Sequence, residues 1–186
     1  ERDNWQQRHL DIGFDYYNLP STDGSIYWSE GVSYEFHLKQ IEQLEDAANE
    51  LHQMCLQVVD RIIQSGDYPD YFQIPQTAIP SIEYSWKAKA PMLYGRFDFA
   101  YDGQNIKMLE YNADTPTGLL EASVAQWHWI EEVQNVPHRD QFNSIHEDLI
   151  ERWKQLFAPK SLIHFAACQE AGREDWGNLE YLMDTA

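Results

Sequence analysis

A chain of 186 residues with 43% apolar residues and seven tryptophans can bury one core, or a larger and a smaller one. Its formal charge of -18 repels phosphate backbones and anionic membranes, so the field favours a basic partner or a polyamine and argues against nucleic acid. No run reaches the length of an apolar membrane span, no basic-then-apolar leader opens the chain, and Cys55 and Cys168 form neither a disulfide framework nor a metal spacing; the composition reads as a cytoplasmic protein.

Residues 1–28 are rich in aromatic and turn residues, with short strands expected at Asp11 to Tyr17 and Ser25 to Trp28. From Ser29 a long helix is expected. Ile41, Leu44, Ala48, Leu51, Cys55, Val58 and Ile62 recur at three- and four-residue steps, and Ser65-Gly66 stops the pattern. Pro69, Pro75, Pro80 and Pro91 then punctuate a stretch that reads as short extended pieces, Ser81 to Trp86 among them.

The next two segments carry the chemistry. Leu93 to Phe99 and Met108 to Asp114 read as strands joined through Asp102-Gly103, with Arg96 and Asp98 at i and i+2 on the first and Glu110 and Asn112 at i and i+2 on the second. Four polar groups among Phe, Tyr, Leu and Met cost desolvation energy unless something binds them. A two-residue Asp-Gly loop would put the two pairs on opposite faces. A three-residue loop with a bulge and Gly103 in the left-handed conformation brings all four onto one face, and only that register gives Asp98, Glu110 and Asn112 a common partner. Two carboxylates and an amide oxygen suit a hard cation such as magnesium, with Arg96 facing the same phosphate. An ion pair of Arg96 with a carboxylate on a solvated sheet face fits the same spacing.

A second helix is expected over Leu119 to Val133, capped by Thr115 with Pro116 at its first position, or by Thr117, so that its N-terminus offers N–H groups to an anion near Asn112. Ser144-Ile145-His146-Glu147 reads as a capping box. Ser161 to Ala167 reads as a buried strand and Glu174 to Met183 as a following helix, a strand-helix step of an α/β layer. The seven histidines are scattered; His128, between Trp127 and Trp129, reads as a half-buried helix residue, and both cysteines as core. Neither GxxxxGK[ST] nor GxGxxG occurs.

The run YGRFDFAYDGQNIKMLEYNADTPTGLLEASVAQW, Tyr94 to Trp127, resembles the corresponding segment of the glutathionylspermidine synthetase family, whose members are ATP-grasp ligases. Trp28 to Gln57 is similar to the long N-terminal helix of its synthetase-only members. The resemblance implies an α/β (α+β) fold, a mixed or antiparallel sheet with flanking helices, of the pre-ATP-grasp kind. It implies that Asp98, Glu110 and Asn112 hold magnesium, that Arg96 stabilises the transition state, and that Arg96, Phe97 and Asp98 lie against the ATP phosphates. Thr115, Thr117 and Glu170 match substrate contacts. The implied reaction joins a small acid to an amine, a peptide or polyamine among the candidates: ATP converts the carboxylate to an acyl-phosphate and the amine attacks it to form an amide. Such ligases are about twice this length, so the chain reads as an N-terminal portion, inactive without the C-terminal ATP-binding portion. The rival readings are a non-catalytic α/β fragment that binds a cation or partner, and a hydrolase using Asp98 and Glu110 as a carboxylate pair.

Overall fold

The computed structural model describes every residue except 21–23, 114–115, 134–139, 169 and 171. The chain divides into two compact units, one formed by Phe36–Asn112 and the other by Glu1–Glu35 with Ala113–Ala186.

The 36–112 unit is built on the long helix α2 (Leu38–Ser65). It starts nine residues later than Ser29, where the His37 backbone N–H donates to Gln40 Oε1 at 2.9 Å, and it ends where Gly66 turns left-handed at φ 66°. Ile41, Leu44, Ala48, Leu51, Cys55 and Ile62 form its half-buried stripe, whereas Val58 is 56% exposed. The stretch expected to be extended at Ser81 to Trp86 is helical: α3 spans Ile79–Lys87. Pro80 falls in its first turn, where a missing N–H costs nothing, so the proline opens the helix instead of breaking a strand. Trp86 Nε1 of α3 donates to Asp60 of α2 at 2.9 Å.

Two antiparallel strands complete this unit, β1 (Arg96–Tyr101) and β2 (Ile106–Asn112). Phe97, Phe99 and Tyr111 stack on one face, Phe97 and Tyr111 with centroids 4.0 Å apart. His52 of α2 shares a 2.7 Å hydrogen bond with the Tyr111 hydroxyl, which fixes β2 to the helix.

In the other unit α1 (Trp5–Asp11) and Pro20↔Ile26, an isolated bridge, replace the two short strands expected near the N-terminus. A π-helical turn (Glu121–Ala125) leads into α4 (Gln126–Glu132), and α5 (Ile145–Leu156) and α6 (Arg173–Thr185) follow. Gly118, at φ 93°, cannot continue a helix, so the helical run begins at Leu119 without Thr117 as its cap; Thr115 lies outside the described residues. Ser144 stands at the N-cap of α5, but its hydroxyl donates to Asp148 at 2.7 Å, so the expected capping box is not closed.

Residues 161–167 are no strand. Their exposure alternates in the manner of an extended segment, with Leu162 80% exposed and Phe165 edge-on to Trp153 at 5.8 Å, but no ladder partner exists among the described residues. A buried strand needs backbone partners, and the expected strand-helix step therefore does not form. Cys168 is exposed, not core; Cys55 and His128 are half-buried.

The core of this unit is aromatic. His9, 1% exposed, sits edge-on between Phe14 and Trp28, at 4.8 and 4.7 Å, and beside Trp5 at 5.5 Å. Burial, aided by the Arg2 cation and opposed by Glu30, lowers its pKa from 6.5 to about 4. The unfolded chain therefore binds a proton that the folded one refuses, so this contribution to stability is complete above pH 6.5 and is lost as pH falls toward 4. Roughly 2–3 kcal/mol should disappear between pH 7 and 4.5 in urea titrations. His9→Met should flatten that slope; an unchanged slope would show that His9 does not carry it.

Candidate functional site

The register of the hairpin decides which side chains meet. Arg96 stands opposite Asn112, Phe97 opposite Tyr111 and Asp98 opposite Glu110, while Phe99 stands opposite Met108. Leu109 is therefore an extra residue, a bulge. The loop between Tyr101 and Ile106 holds four residues, not three, and alone it would pair Asp98 with Leu109 and turn Glu110 onto the aromatic face. The bulge restores the parity. All four polar residues share one face, as expected from their chemistry, but the parity change is made inside β2 and not at the turn.

The loop itself is organised by Asp102. Its carboxylate accepts the backbone N–H groups of Asn105 and Gln104 at 2.7 and 2.9 Å and the Asn105 side-chain amide at 2.9 Å. Those hydrogen bonds, Asn105 first, hold its pKa down at about 2. Gly103 has φ 93°, in the left-handed region as expected.

Within the face, Arg96 grips Asp98 in a two-pronged pair, Nε to Oδ1 at 2.9 Å and Nη2 to Oδ2 at 3.3 Å, both side chains about 40% exposed (43% and 38%). The structure thus forms the solvated ion pair that the spacing allowed. It leaves Glu110 exposed on β2, directly across from Asp98. Among the described residues no acceptor partners the buried Nδ2 of Asn112, so no partner of that nitrogen fixes which end of the amide faces the site.

Fit to a hard cation follows from this donor set. Two carboxylates directly opposed on one face, one of them unengaged, and an amide without an acceptor for its nitrogen can supply oxygen ligands and leave positions for water or phosphate oxygens. Among the described residues no three His, Cys, Asp or Glu side chains gather into a metal cluster, so Asn112 is needed to complete the set. Asp98 serves Arg96 in this structure, and a cation would compete with the guanidinium for it.

The remaining expected contacts belong to the other unit. Thr117 is half-buried and its hydroxyl donates to Glu174 Oε1 at 2.5 Å; Glu170 is exposed in a turn. Glu174 is a partner that sequence reasoning missed, since nothing in the spacing connects residues 117 and 174. A cavity of about 270 Å³ in that unit is lined by Trp153, Phe157, Lys160 and Ile163 and contains none of the expected site residues. No helix among the described residues is long and apolar enough to cross a membrane.

The chain is similar to several ligases. The chain is 54% identical to a putative acid–amine ligase of Haemophilus influenzae over 187 aligned residues, all of this chain and 47% of that protein. It is 34% identical to the glutathionylspermidine synthase of Crithidia fasciculata over 52% of this chain and 14% of that one. The bifunctional glutathionylspermidine synthetase/amidase of Escherichia coli matches at 34% over 49% of this chain and 15% of its own length. The chain thus spans less than half the length of these relatives. The family model described as glutathionylspermidine synthase pre-ATP-grasp matches residues 1–186, and the chain belongs to that family.

Proposed function

We propose that this chain provides the metal- and phosphate-facing residues of an ATP-dependent ligase that joins a carboxylic acid to an amine. The observation that carries the reading is the bulge at Leu109, which sets Asp98 against Glu110 and Arg96 against Asn112 on one face. Asp98, Glu110 and Asn112 would hold magnesium. Bound there, the ion would supply positive charge that offsets that of the ATP phosphates.

Arg96 has the complementary task. Paired with Asp98 its charge is neutralised; released from Asp98 it can meet the charge that develops on a transferring phosphoryl group, with Phe97 and Asp98 beside it along the same strand. The aromatic face behind, His52 to Tyr111 to Phe97, holds the strands in register, so that opening the Arg96–Asp98 pair is the rearrangement these groups need. No covalent nucleophile is required. The acid is activated as an acyl-phosphate by ATP, the amine attacks it, and phosphate leaves as the amide forms. Names of the relatives favour a peptide acid and a polyamine as substrates, and Thr117 and Glu170 are the candidate contacts outside the hairpin.

Phosphate release by the full-length protein tests the reading. Release from ATP should require magnesium and should rise about tenfold or more when an acid and an amine are supplied together, because the acyl-phosphate turns over only when the amine arrives. Release indifferent to magnesium or to both co-substrates would overturn the ligase reading, and no release under any of these conditions would favour the non-catalytic one.

A further inference from the structure

The helical run from Leu119 to Glu132 is widened at one place, the π-helical turn Glu121–Ala125, where the Gln126 N–H reaches back to the Glu121 carbonyl. Such a turn holds one residue more than an α-helical turn and is rarely adopted, so it needs support from outside the helix. No Gly or Pro falls between Leu119 and Glu132, and nothing in that stretch of sequence opposes a regular α-helix.

The support comes from two side-chain amides just before α5. Gln141 Nε2 lies 3.2 and 3.1 Å from the Ala122 and Ser123 carbonyls and 3.1 Å from Asn143 Oδ1, and Asn143 Nδ2 donates to the Ala122 carbonyl at 3.1 Å. All three neighbours of Gln141 Nε2 are acceptors, so the amide has one orientation, which leaves its Oε1 buried with no donor among the described residues. An orphaned acceptor is destabilising, and this one is tolerated where it keeps the nitrogen on the turn. Phe142, between the two amides, is 67% exposed; the segment turns its polar side chains inward and its aromatic one outward, the reverse of what apolar burial alone would select. On the other side of the turn Ser123 Oγ donates to the Leu119 carbonyl at 2.5 Å and lies 2.8 Å from the Tyr181 hydroxyl of α6.

We infer that Gln141 and Asn143 are positioning residues that clamp the π turn open and thereby set where Thr117, just before the helical run, stands against α6. The segment meets α6 twice ahead of the turn, where Thr117 donates to Glu174 and Asn178 Nδ2 lies 3.4 Å from the Pro116 carbonyl. Without the two amides the turn relaxes to α-helical geometry. Closing up one residue moves Leu119 and Leu120 by about 1.5 Å along the axis and roughly 100° around it, and draws Thr117 off Glu174. Thr117 is a candidate substrate contact, so the consequence for substrate rests on the ligase reading; the clamp itself does not.

The test uses the full-length protein without ATP, so its failure leaves the ligase reading standing and failure of the ligase reading leaves the clamp standing. Amide hydrogen exchange and melting temperature are measured for Gln141→Leu with Asn143→Leu, which removes the donors and keeps most of the bulk. Exchange at residues 119–126 should quicken by about tenfold or more, and the melting temperature should fall. Deleting Val124 in that background takes out the extra residue, so an α-helical turn closes with both flanks in place and both readouts should recover most of the loss. A packing role alone predicts further damage from the deletion. Thr117→Val should lower the melting temperature of the wild type and leave that of the double replacement unchanged, because Thr117 has already left Glu174 there. In turnover, the half-saturating concentration of one co-substrate should rise about tenfold in the double replacement and return with the deletion. If the double replacement does not fold, Gln141→Leu with and without the deletion makes the same comparison. Unchanged exchange at 119–126, a deletion that worsens it, or an equal effect of Thr117→Val in both backgrounds would overturn the proposal.

Discussion

Replacing Asp98 by Asn in the full-length protein should raise the magnesium concentration needed for half-maximal ATP turnover by about tenfold or more, since even outer partners of metal ligands are worth roughly 10–100-fold in affinity. Arg96→Ala should act in the opposite sense on magnesium and more severely on rate. Arg96 now engages both oxygens of Asp98, and freeing that carboxylate should lower the magnesium requirement, by no more than about fivefold, because an ion pair about 40% exposed (43% and 38%) is worth at most ~1 kcal/mol. Turnover should nevertheless fall by ~10²-fold or more through loss of a donor to the developing charge. Arg96→Lys should restore little of it, since a point charge cannot reproduce a two-pronged contact. Steady-state phosphate release against magnesium concentration reads both parameters. Normal turnover in both Asp98→Asn and Arg96→Ala, in protein shown to be folded, would reduce the four residues to a structural charge network.

The largest expected loss of stability comes from Arg2, outside any expected site. Its guanidinium Nε and Nη2 donate to the two oxygens of Glu30 at 2.7 and 3.0 Å, with the side chains 3% and 2% exposed. Trp28 Nε1 donates to the same carboxylate at 2.8 Å, and Nη1 of Arg2 reaches Glu132 at 3.3 Å. Burial alone would raise the Glu30 pKa, but the hydrogen bonds from Arg2 and Trp28 overcome it and lower the value below the usual 4.5. Arg2→Met leaves Glu30 buried with no cation and should cost about 3–5 kcal/mol in urea unfolding. Adding Glu30→Met should recover most of that, because the pair replaced together by apolar residues removes both desolvation penalties. A single-mutant loss below about 1 kcal/mol would mean that Glu30 is better solvated than its 2% exposure indicates.

The sequence by itself determined the parts governed by local rules. The period of Ile41 to Ile62 and the Ser65-Gly66 stop define α2, because a buried stripe and a left-handed terminus are properties of one helix. Residues 145–156 and 173–185 were legible as helices for the same reason. The polar identity of Arg96, Asp98, Glu110 and Asn112 at i and i+2 required a common face before any register was known. The position of the bulge is not legible there, since a three-residue loop at Asp102-Gly103 satisfies the same polar pairs, and only the register puts it at Leu109. Ile106, Met108 and Tyr111 point one way and Lys107, Glu110 and Asn112 the other, and the alternation slips by one at Leu109.

Tertiary structure decided everything that depends on a distant partner. Ser161 to Ala167 has the composition of a buried strand, but a strand exists only where another supplies its hydrogen bonds, and none does among the described residues. Ser81 to Trp86 is opened as a helix by Pro80, but its attachment to α2 rests on Asp60 accepting from Trp86, a contact 26 residues away that no local signal carries. The pairing of Arg2 with Glu30, of Thr117 with Glu174 and of Tyr27 with Glu121 joins residues 28, 57 and 94 positions apart. Spacing along a chain reports which side chains share an element. Which charges are buried, and which of them lack a counter-ion, follows only from the elements that fold against them.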